Sequence, residues 1–131
     1  MSQVLPKYPI YIPSKGRYES GYTAKFLLED RVPFYLVVEE QERDEYAKRY
    51  GADHVLVLPF SNKGTVVASR NWIKDHATKN GFARHWQLDD NMTWIGRRWR
   101  TRRIRCSAGV GLRAVEDFAD RYENVAIAGM N

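Results

Sequence analysis

Three consecutive residues, Asp89-Asp90-Asn91, follow the apolar run "HWQL" and set two carboxylates and an amide side by side. Adjacent like charges repel, so a strand end that keeps them together gains from a nearby cation. Carboxylate and amide oxygens are hard donors. A divalent ion such as Mg²⁺ or Mn²⁺ takes them and keeps places for a substrate phosphate. The alternative is a solvated turn, because Asp and Asn favour turns by themselves. A second motif, Pro13-Ser14-Lys15-Gly16-Arg17, favours the ion. Lys15 and Arg17 supply positive charge for an anionic ligand, and Gly16 lets the backbone approach closely. That motif is weak alone, since it lacks the Gly-x-x-x-x-Gly-Lys-Ser/Thr spacing of a phosphate loop. Arg70-Asn71 is a third piece: an arginine near a helix start can clamp a diphosphate with charge-assisted bonds, or simply face solvent. The fourth is a run of six arginines in nine residues, Arg97, Arg98, Arg100, Arg102, Arg103 and Arg105, with Trp94 and Trp99 beside and within it. Arginines interleaved with aromatics suit a nucleic-acid surface, and a flexible solvated loop is the alternative.

The charge balance makes that run stand out. The chain carries 21 Lys+Arg against 16 Asp+Glu, a net charge of +5. Without the six arginines, 15 basic residues face 16 acidic ones, so one local patch holds the whole excess and points to a polyanionic partner. A length of 131 residues with 44% hydrophobic content supports one domain with a core. No apolar run approaches the roughly 18 residues of a membrane span. The segment "MSQVLPKYPIYIPSKGR" lacks the features of a signal peptide. Cys106 stands alone, which excludes an internal disulfide and a cysteine zinc cluster, and a cytoplasmic protein is expected. His54, His76 and His85 have no metal-like spacing and read as structural.

Apolar patterning predicts the strands and helices on which these residues sit. Residues 8–12, 33–38, "HVLVLP" and "HWQLDD" read as strands, and "NVAIAGMN" as a fifth at the end. Ser20 is expected to cap a helix through Glu29, with Ala24, Leu27 and Leu28 on one face. "EQERDEYAKRYG" predicts a short helix closed by Gly51, and "TVVASRNWIKDHATKNG" a longer one with Gly81 beyond its end. In "GLRAVEDFADRY" a helical stripe runs through Leu112, Val115, Phe118, Ala119 and Tyr122.

Strands that are continuous apolar runs and alternate with helices predict an α/β fold, its largely parallel sheet covered on both faces. Ligands of such sheets bind beyond the carboxyl ends of the strands. Pro13 to Arg17 follow the first strand and Glu39-Glu40 the second. The loop from Pro59 to Gly64 follows the third, and Asp89-Asp90-Asn91 the fourth. All should meet along one rim. Because the sequence stops on a strand, it is expected to be the amino-terminal part of something longer.

Taken together, "YIPSKGR", "FYLVVEEQERDEYAKRYG", "VLVLP", "ASRNWI", "WQLDDN" and "EDFADRYENVAIAG" resemble the TET-associated glycosyltransferases, phage enzymes found beside TET-type base oxygenases. The likeness covers nearly the whole chain, in order and spacing. It implies a GT-A-like, Rossmann-type, mostly parallel sheet with helices on both faces. It also implies a nucleotide-sugar donor, and sugar transfer to hydroxymethylated pyrimidines in DNA within an infected bacterial host. By position, Pro13, Ser14, Lys15, Gly16 and Arg17 match the donor-binding strand end. Glu39 matches an acidic position for the nucleobase or ribose. Arg70 and Asn71 match the Arg-Asn of the donor helix. Asp89, Asp90 and Asn91 match the motif for Mn²⁺ or Mg²⁺, with Asp89 also at the donor. The arginine run would track the phosphates of the DNA acceptor. The family extends well past "NVAIAGMN", and that half carries acceptor contacts and the catalytic base. Residues 1–131 are therefore expected to form a single donor-binding domain without them, and no base is assigned. Two other classes stay open. One is a sugar-nucleotide nucleotidyltransferase, which shares strand-end carboxylates and a basic first loop. The other is a non-catalytic basic DNA-binding module.

Overall fold

Four short apolar segments pair in parallel: Ile10–Pro13 (β1), Tyr35–Val38 (β2), Val55–Val57 (β3) and Trp86–Gln87 (β4). The computed structural model describes residues 4–61, 67–122 and 124–129, with backbone alone for 97–99. Sheet order is β3-β2-β1-β4, so the chain steps outward from β1 to β3 and then returns to the other side of β1. Helices Tyr22–Glu29 (α1), Arg43–Tyr50 (α2) and Val67–Lys79 (α3) make the crossovers, and Ala108–Asp120 (α4) comes after the last of the four strands.

The pleat sorts the strand residues between two cores. Ile10, Ile12, Leu36 and Val38 pack with Ala24, Phe26 and Leu27 of α1, Tyr46 and Tyr50 of α2, and Ala108 and Leu112 of α4. Tyr11 and Val37 point to the opposite face and pack with Leu58 and with Ile73 and Ala77 of α3. Both faces are covered, which is why the strands read as unbroken apolar runs. The expected α/β class and helices on both faces are present.

Several local expectations are corrected. α1 starts at Tyr22 with Gly21 as its N-cap and no side-chain cap; Ser20 contributes only its carbonyl, which accepts the Tyr22 N–H at 2.8 Å. The buried face of α1 is Thr23, Ala24, Phe26 and Leu27, and Leu28, a further 100° around the helix, is exposed. In α4 the buried residues are Ala108, Gly109, Leu112, Glu116 and Ala119, whereas Phe118 and Tyr122 are exposed. A carboxylate has taken the central buried place, because Glu116 accepts the backbone N–H groups of Lys7 (2.7 Å) and Tyr8 (3.0 Å) and the indole N–H of Trp86 (2.9 Å). The stripe is rotated to satisfy that polar requirement. Residues 124–129 form no strand, and Ile127 is 92% exposed. Apolar composition gives β-propensity, but a strand exists only where a partner supplies the ladder. Met130 and Asn131, the end of that expected strand, lie outside the described residues, as does the stretch 62–66, where the sequence predicts the loop after β3 and the start of α3. α2 closes at Gly51 with φ +100°, a conformation that glycine adopts without steric cost.

The arginine run is not a flexible loop. Ile95–Trp99 (β5) and Arg102–Cys106 (β6) form an antiparallel hairpin, with Arg98 paired to Arg103 and Gly96 to Arg105.

Candidate active site at the strand ends

The chain reverses its direction of travel across the sheet between β1 and β4, and a crevice at such a switch point is where α/β sheets bind ligands. Ser14 N–H bonds the Val37 carbonyl at 3.1 Å and carries the pairing one residue past β1. The chain then turns through Gly16 at φ +67°, and the Gly16 N–H donates to the carboxylate of Glu42. Beneath this loop the Tyr46 hydroxyl of α2 lies 2.6 Å from Ser14 Oγ and accepts the Arg17 N–H at 3.0 Å. Ser14 has one hydroxyl proton and gives it to Asp90 Oδ2 at 2.9 Å, since an ionised carboxylate can only accept. Tyr46 must therefore donate to Ser14. Burial pushes the Tyr46 phenol above its ordinary range, so it stays protonated for that purpose.

The turn after β4 is held by the start of α1. The Thr23 hydroxyl donates to the Asp89 carbonyl and accepts the Met92 N–H at 2.9 Å, and the Thr23 N–H reaches the Asp90 carbonyl at 3.4 Å. With the backbone fixed, the two carboxylates separate. Asp90, its side chain 13% exposed, takes Ser14 on one oxygen and Arg17 Nη1 on the other at 3.0 Å. Asp89, 71% exposed, faces Arg70 Nη2 at 3.6 Å. Asn91 is exposed beside them. The repulsion noted in the sequence is relieved by two arginines from different elements.

Beyond β2, Glu39 is 2% exposed. Ser61 Oγ donates to its Oε1 at 2.8 Å, Gln41 Nε2 to its Oε2 at 3.1 Å, and Lys15 Nζ stands 3.3 Å from Oε2. A buried carboxylate this well furnished with donors stays where it is put. Arg70 sits in the first turns of α3, where Gln87 of β4 accepts from its Nη1 at 3.2 Å. Asn71 is exposed next to it.

Ser14, Lys15, Gly16, Arg17, Glu39, Arg70, Asp89 and Asp90 thus share one rim, tied together by Arg17–Asp90, Lys15–Glu39 and Arg70–Asp89. Sequence reasoning missed Tyr46, Gln87, Ser61, Thr23 and Glu42. Gln87 alone had a signal, a polar side chain inside an otherwise apolar strand. Among the described residues Glu42 Oε2 is buried without a hydrogen-bond partner, one loop from Gly16. No three His, Cys, Asp or Glu side chains come together among the described residues. Among the described residues the rim therefore offers one open carboxylate, Asp89, beside the engaged Asp90, and no closed metal cage.

The hairpin leaves this rim four residues after Asn91, within about 14 Å of it at full extension. Its root is fixed by Ile95, which is buried against the first core. At Gly111 of α4 a Cβ would press on the Ile95 side chain, so the glycine permits that seat. Arg102, Arg103, Ile104 and Arg105 are exposed. The turn residue Arg100 has φ +56°, which costs a non-glycine residue roughly 1 kcal/mol.

No described helix is long and apolar enough to cross a membrane. Neither curated proteins nor solved structures give a match to the sequence. The family of TET-Associated Glycosyltransferases does match, over residues 8–131, which takes in the rim, the hairpin and every element of the fold. The chain belongs to the TET-associated glycosyltransferases.

Proposed function

We propose that this glycosyltransferase moves a sugar from a nucleotide-sugar donor to a hydroxymethylated pyrimidine in DNA, with Mn²⁺ or Mg²⁺ at Asp89 and Asp90. The observation that carries the reading is the pairing of Arg17 with Asp90 and of Arg70 with Asp89 at the sheet's switch point. Cations and carboxylates at one rim are what a diphosphate and its counter-ion require together. Asp89 is open and its nearest arginine is at 3.6 Å, so an ion that takes most of its ligands from donor and water fits there, with Asn91 at hand. When bound, such an ion neutralises charge on the departing diphosphate.

The chain's own groups have definite tasks in this reading. Arg17 and Arg70 hold the diphosphate and stabilise the negative charge that grows as the glycosidic bond to the donor breaks. Lys15 adds to that field. Glu39, buried and fixed by Ser61, is a hydrogen-bond acceptor for the nucleobase or ribose. The arginines of the hairpin lie along acceptor phosphates and position the DNA without reading its sequence.

The test is thermal stabilisation by a panel of nucleoside diphosphates and nucleotide sugars, with and without Mn²⁺, followed by transfer of labelled sugar to DNA that contains or lacks hydroxymethylated pyrimidine. Expected are Mn²⁺-dependent stabilisation by one nucleotide class and label only in the hydroxymethylated DNA. Consumption of a nucleoside triphosphate with release of pyrophosphate would instead identify a nucleotidyltransferase. DNA binding with no nucleotide effect would identify a DNA-binding module.

A further inference from the structure

Arg70 is gripped at two points by one side chain. Its Nη1 donates to Gln87 Oε1 at 3.2 Å, and Gln87 Nε2 donates back to the carbonyl oxygen of Arg70 at 3.2 Å. A guanidinium only donates and a carbonyl only accepts, so the amide of Gln87 has one permitted orientation. Its NH₂ then faces His85 Nε2 at 2.9 Å. That nitrogen must be the acceptor, and the imidazole proton belongs on Nδ1. His85 lies edge-on to the ring of Tyr11 on β1, centroids 5.9 Å apart, and the charge acting on it is that of Lys74 on α3. Burial first, and Lys74 second, hold the imidazole below its ordinary value, so at neutral pH it is in the uncharged form that this geometry needs. A protonated His85 would set two donors against each other at 2.9 Å. With Nη1 engaged, Nη2 is the part of Arg70 left toward Asp89.

We propose that Gln87 is a positioning residue for Arg70: its amide, oriented by His85, holds the guanidinium at the strand-end rim with Nη2 presented toward Asp89 and the donor diphosphate. This rests on Arg70 being a donor contact. An exposed arginine otherwise samples many rotamers, and ordering it on binding costs affinity. The two-point grip removes that cost beforehand. It also explains a polar residue on an otherwise apolar strand.

One arm of the test needs no ligand. Nitrogen-15 NMR of the imidazole and guanidinium groups is compared among wild type, Gln87→Leu and Gln87→Glu. Expected are a His85 protonated on Nδ1 in wild type, a rise in its titration point in Gln87→Glu, where a carboxylate faces Nε2, and faster side-chain motion of Arg70 in Gln87→Leu. A wild-type His85 protonated on Nε2, or an Arg70 equally mobile with and without Gln87, overturns the proposal. Gln87→Glu decides the first point if Gln87→Leu fails to fold. The second arm is calorimetry with Mn²⁺ and pyrophosphate on wild type, Gln87→Leu, Arg70→Ala and the double variant. Gln87→Leu should weaken binding about three- to tenfold, and no further once Arg70 is gone. The same loss in the Arg70→Ala background overturns the proposal. Arg70→Ala binding like wild type, with the NMR results as expected, refutes the donor contact and leaves the grip intact.

Discussion

The guanidinium of Arg17 stands 3.0 Å from Oδ1 of Asp90, so the loop after β1 and the turn after β4 are joined across the sheet's switch point by one ion pair. Arg17 is half exposed, and the pair by itself stabilises the fold little. Its interest is functional, because the proposed function would give Asp90 a divalent ion to hold in competition with Arg17. If Asp90 serves a divalent ion, Asp90→Asn should lower Mn²⁺-dependent affinity for a nucleoside diphosphate by roughly tenfold or more, the scale of one charge-assisted interaction of about 1.5–3 kcal/mol. If it serves only to hold Arg17, the same variant frees a cation for phosphate and affinity should stay level or rise. Calorimetry with Mn²⁺ present separates the two. Asn preserves the size of the side chain and its acceptor for Ser14, which Ala would not.

Glu116 offers a prediction about stability alone. Its carboxylate satisfies two backbone N–H groups and one indole N–H from segments 30 to 109 residues away, and it is buried. Glu116→Ala leaves the N–H groups of Lys7, Tyr8 and Trp86 without this partner, and each such loss costs about 1–3 kcal/mol where water cannot replace it. A loss of about 3 kcal/mol or more in denaturant unfolding is expected, with nucleotide affinity unchanged for the molecules that remain folded. A change near zero would mean that water reaches all three donors.

The amino-terminal segment is fastened to α4 a second time, by charge. Lys7 Nζ lies 2.6 Å from Asp120 and 3.2 Å from Asp117, and the Tyr8 hydroxyl donates to Asp120 at 2.9 Å. The hydrogen bond from Lys7, then that from Tyr8, holds the Asp120 carboxyl below its ordinary 3.8. Arg113 and then Lys7 do the same for Asp117. A depressed carboxyl stabilises the fold above its unfolded value, and that contribution is lost as pH falls through and below about 3.8. Lys7 is raised above 10.5, chiefly by Asp120, so its contribution is complete below that pH and is lost as pH climbs past it. Thermal melts should therefore soften at both ends. Asp120→Asn should flatten the acid limb and lower the melting temperature by a few degrees at most near pH 7, less so in high salt because the group is on the surface.

Much of the rim was readable from local signals. Continuous apolar runs marked β1 to β3, and the residues just beyond the first two, Ser14 to Arg17 and Glu39, had to land at the carboxyl side once the sheet was parallel. Asp89 and Asp90 were legible because repulsion between neighbours demands a cause. Residues that act through distant partners were not. Tyr46 looks like an ordinary core tyrosine until Ser14, 32 residues earlier, proves to be its partner. Glu116 breaks the hydrophobic period of α4, and periodicity alone misplaces the buried face by choosing Phe118 and Tyr122. Residues 124–129 show the reverse error, since β-prone composition suggests a strand where none of the described residues pairs with it. The hairpin escapes notice because arginine occupies both faces of it and erases the alternation by which strands are recognised.

That hairpin carries the last prediction. In the sequence the six arginines speak only of charge; the register fixes how they stand, with Arg98 opposite Arg103 and Arg100 at the turn. If, as proposed, this ribbon follows the phosphates of the DNA acceptor, each duplex phosphate neutralised contributes about 0.9 to the slope of log affinity against log salt. Binding to DNA should fall steeply with salt and differ little among sequences, because phosphate contacts carry no base information. Replacing Arg97, Arg98, Arg100, Arg102, Arg103 and Arg105 by Gln should flatten the slope. It should not unfold the protein, since the seat of the hairpin is Ile95 and the arginines of β6 are exposed. It should also spare nucleotide binding, which the proposed function gives to Arg17, Arg70 and the carboxylates at the strand ends. The measurement is fluorescence anisotropy with labelled duplex DNA across a salt series, wild type against the six-Gln variant. Equal slopes would show that the acceptor is held elsewhere and that the ribbon's charge serves another end.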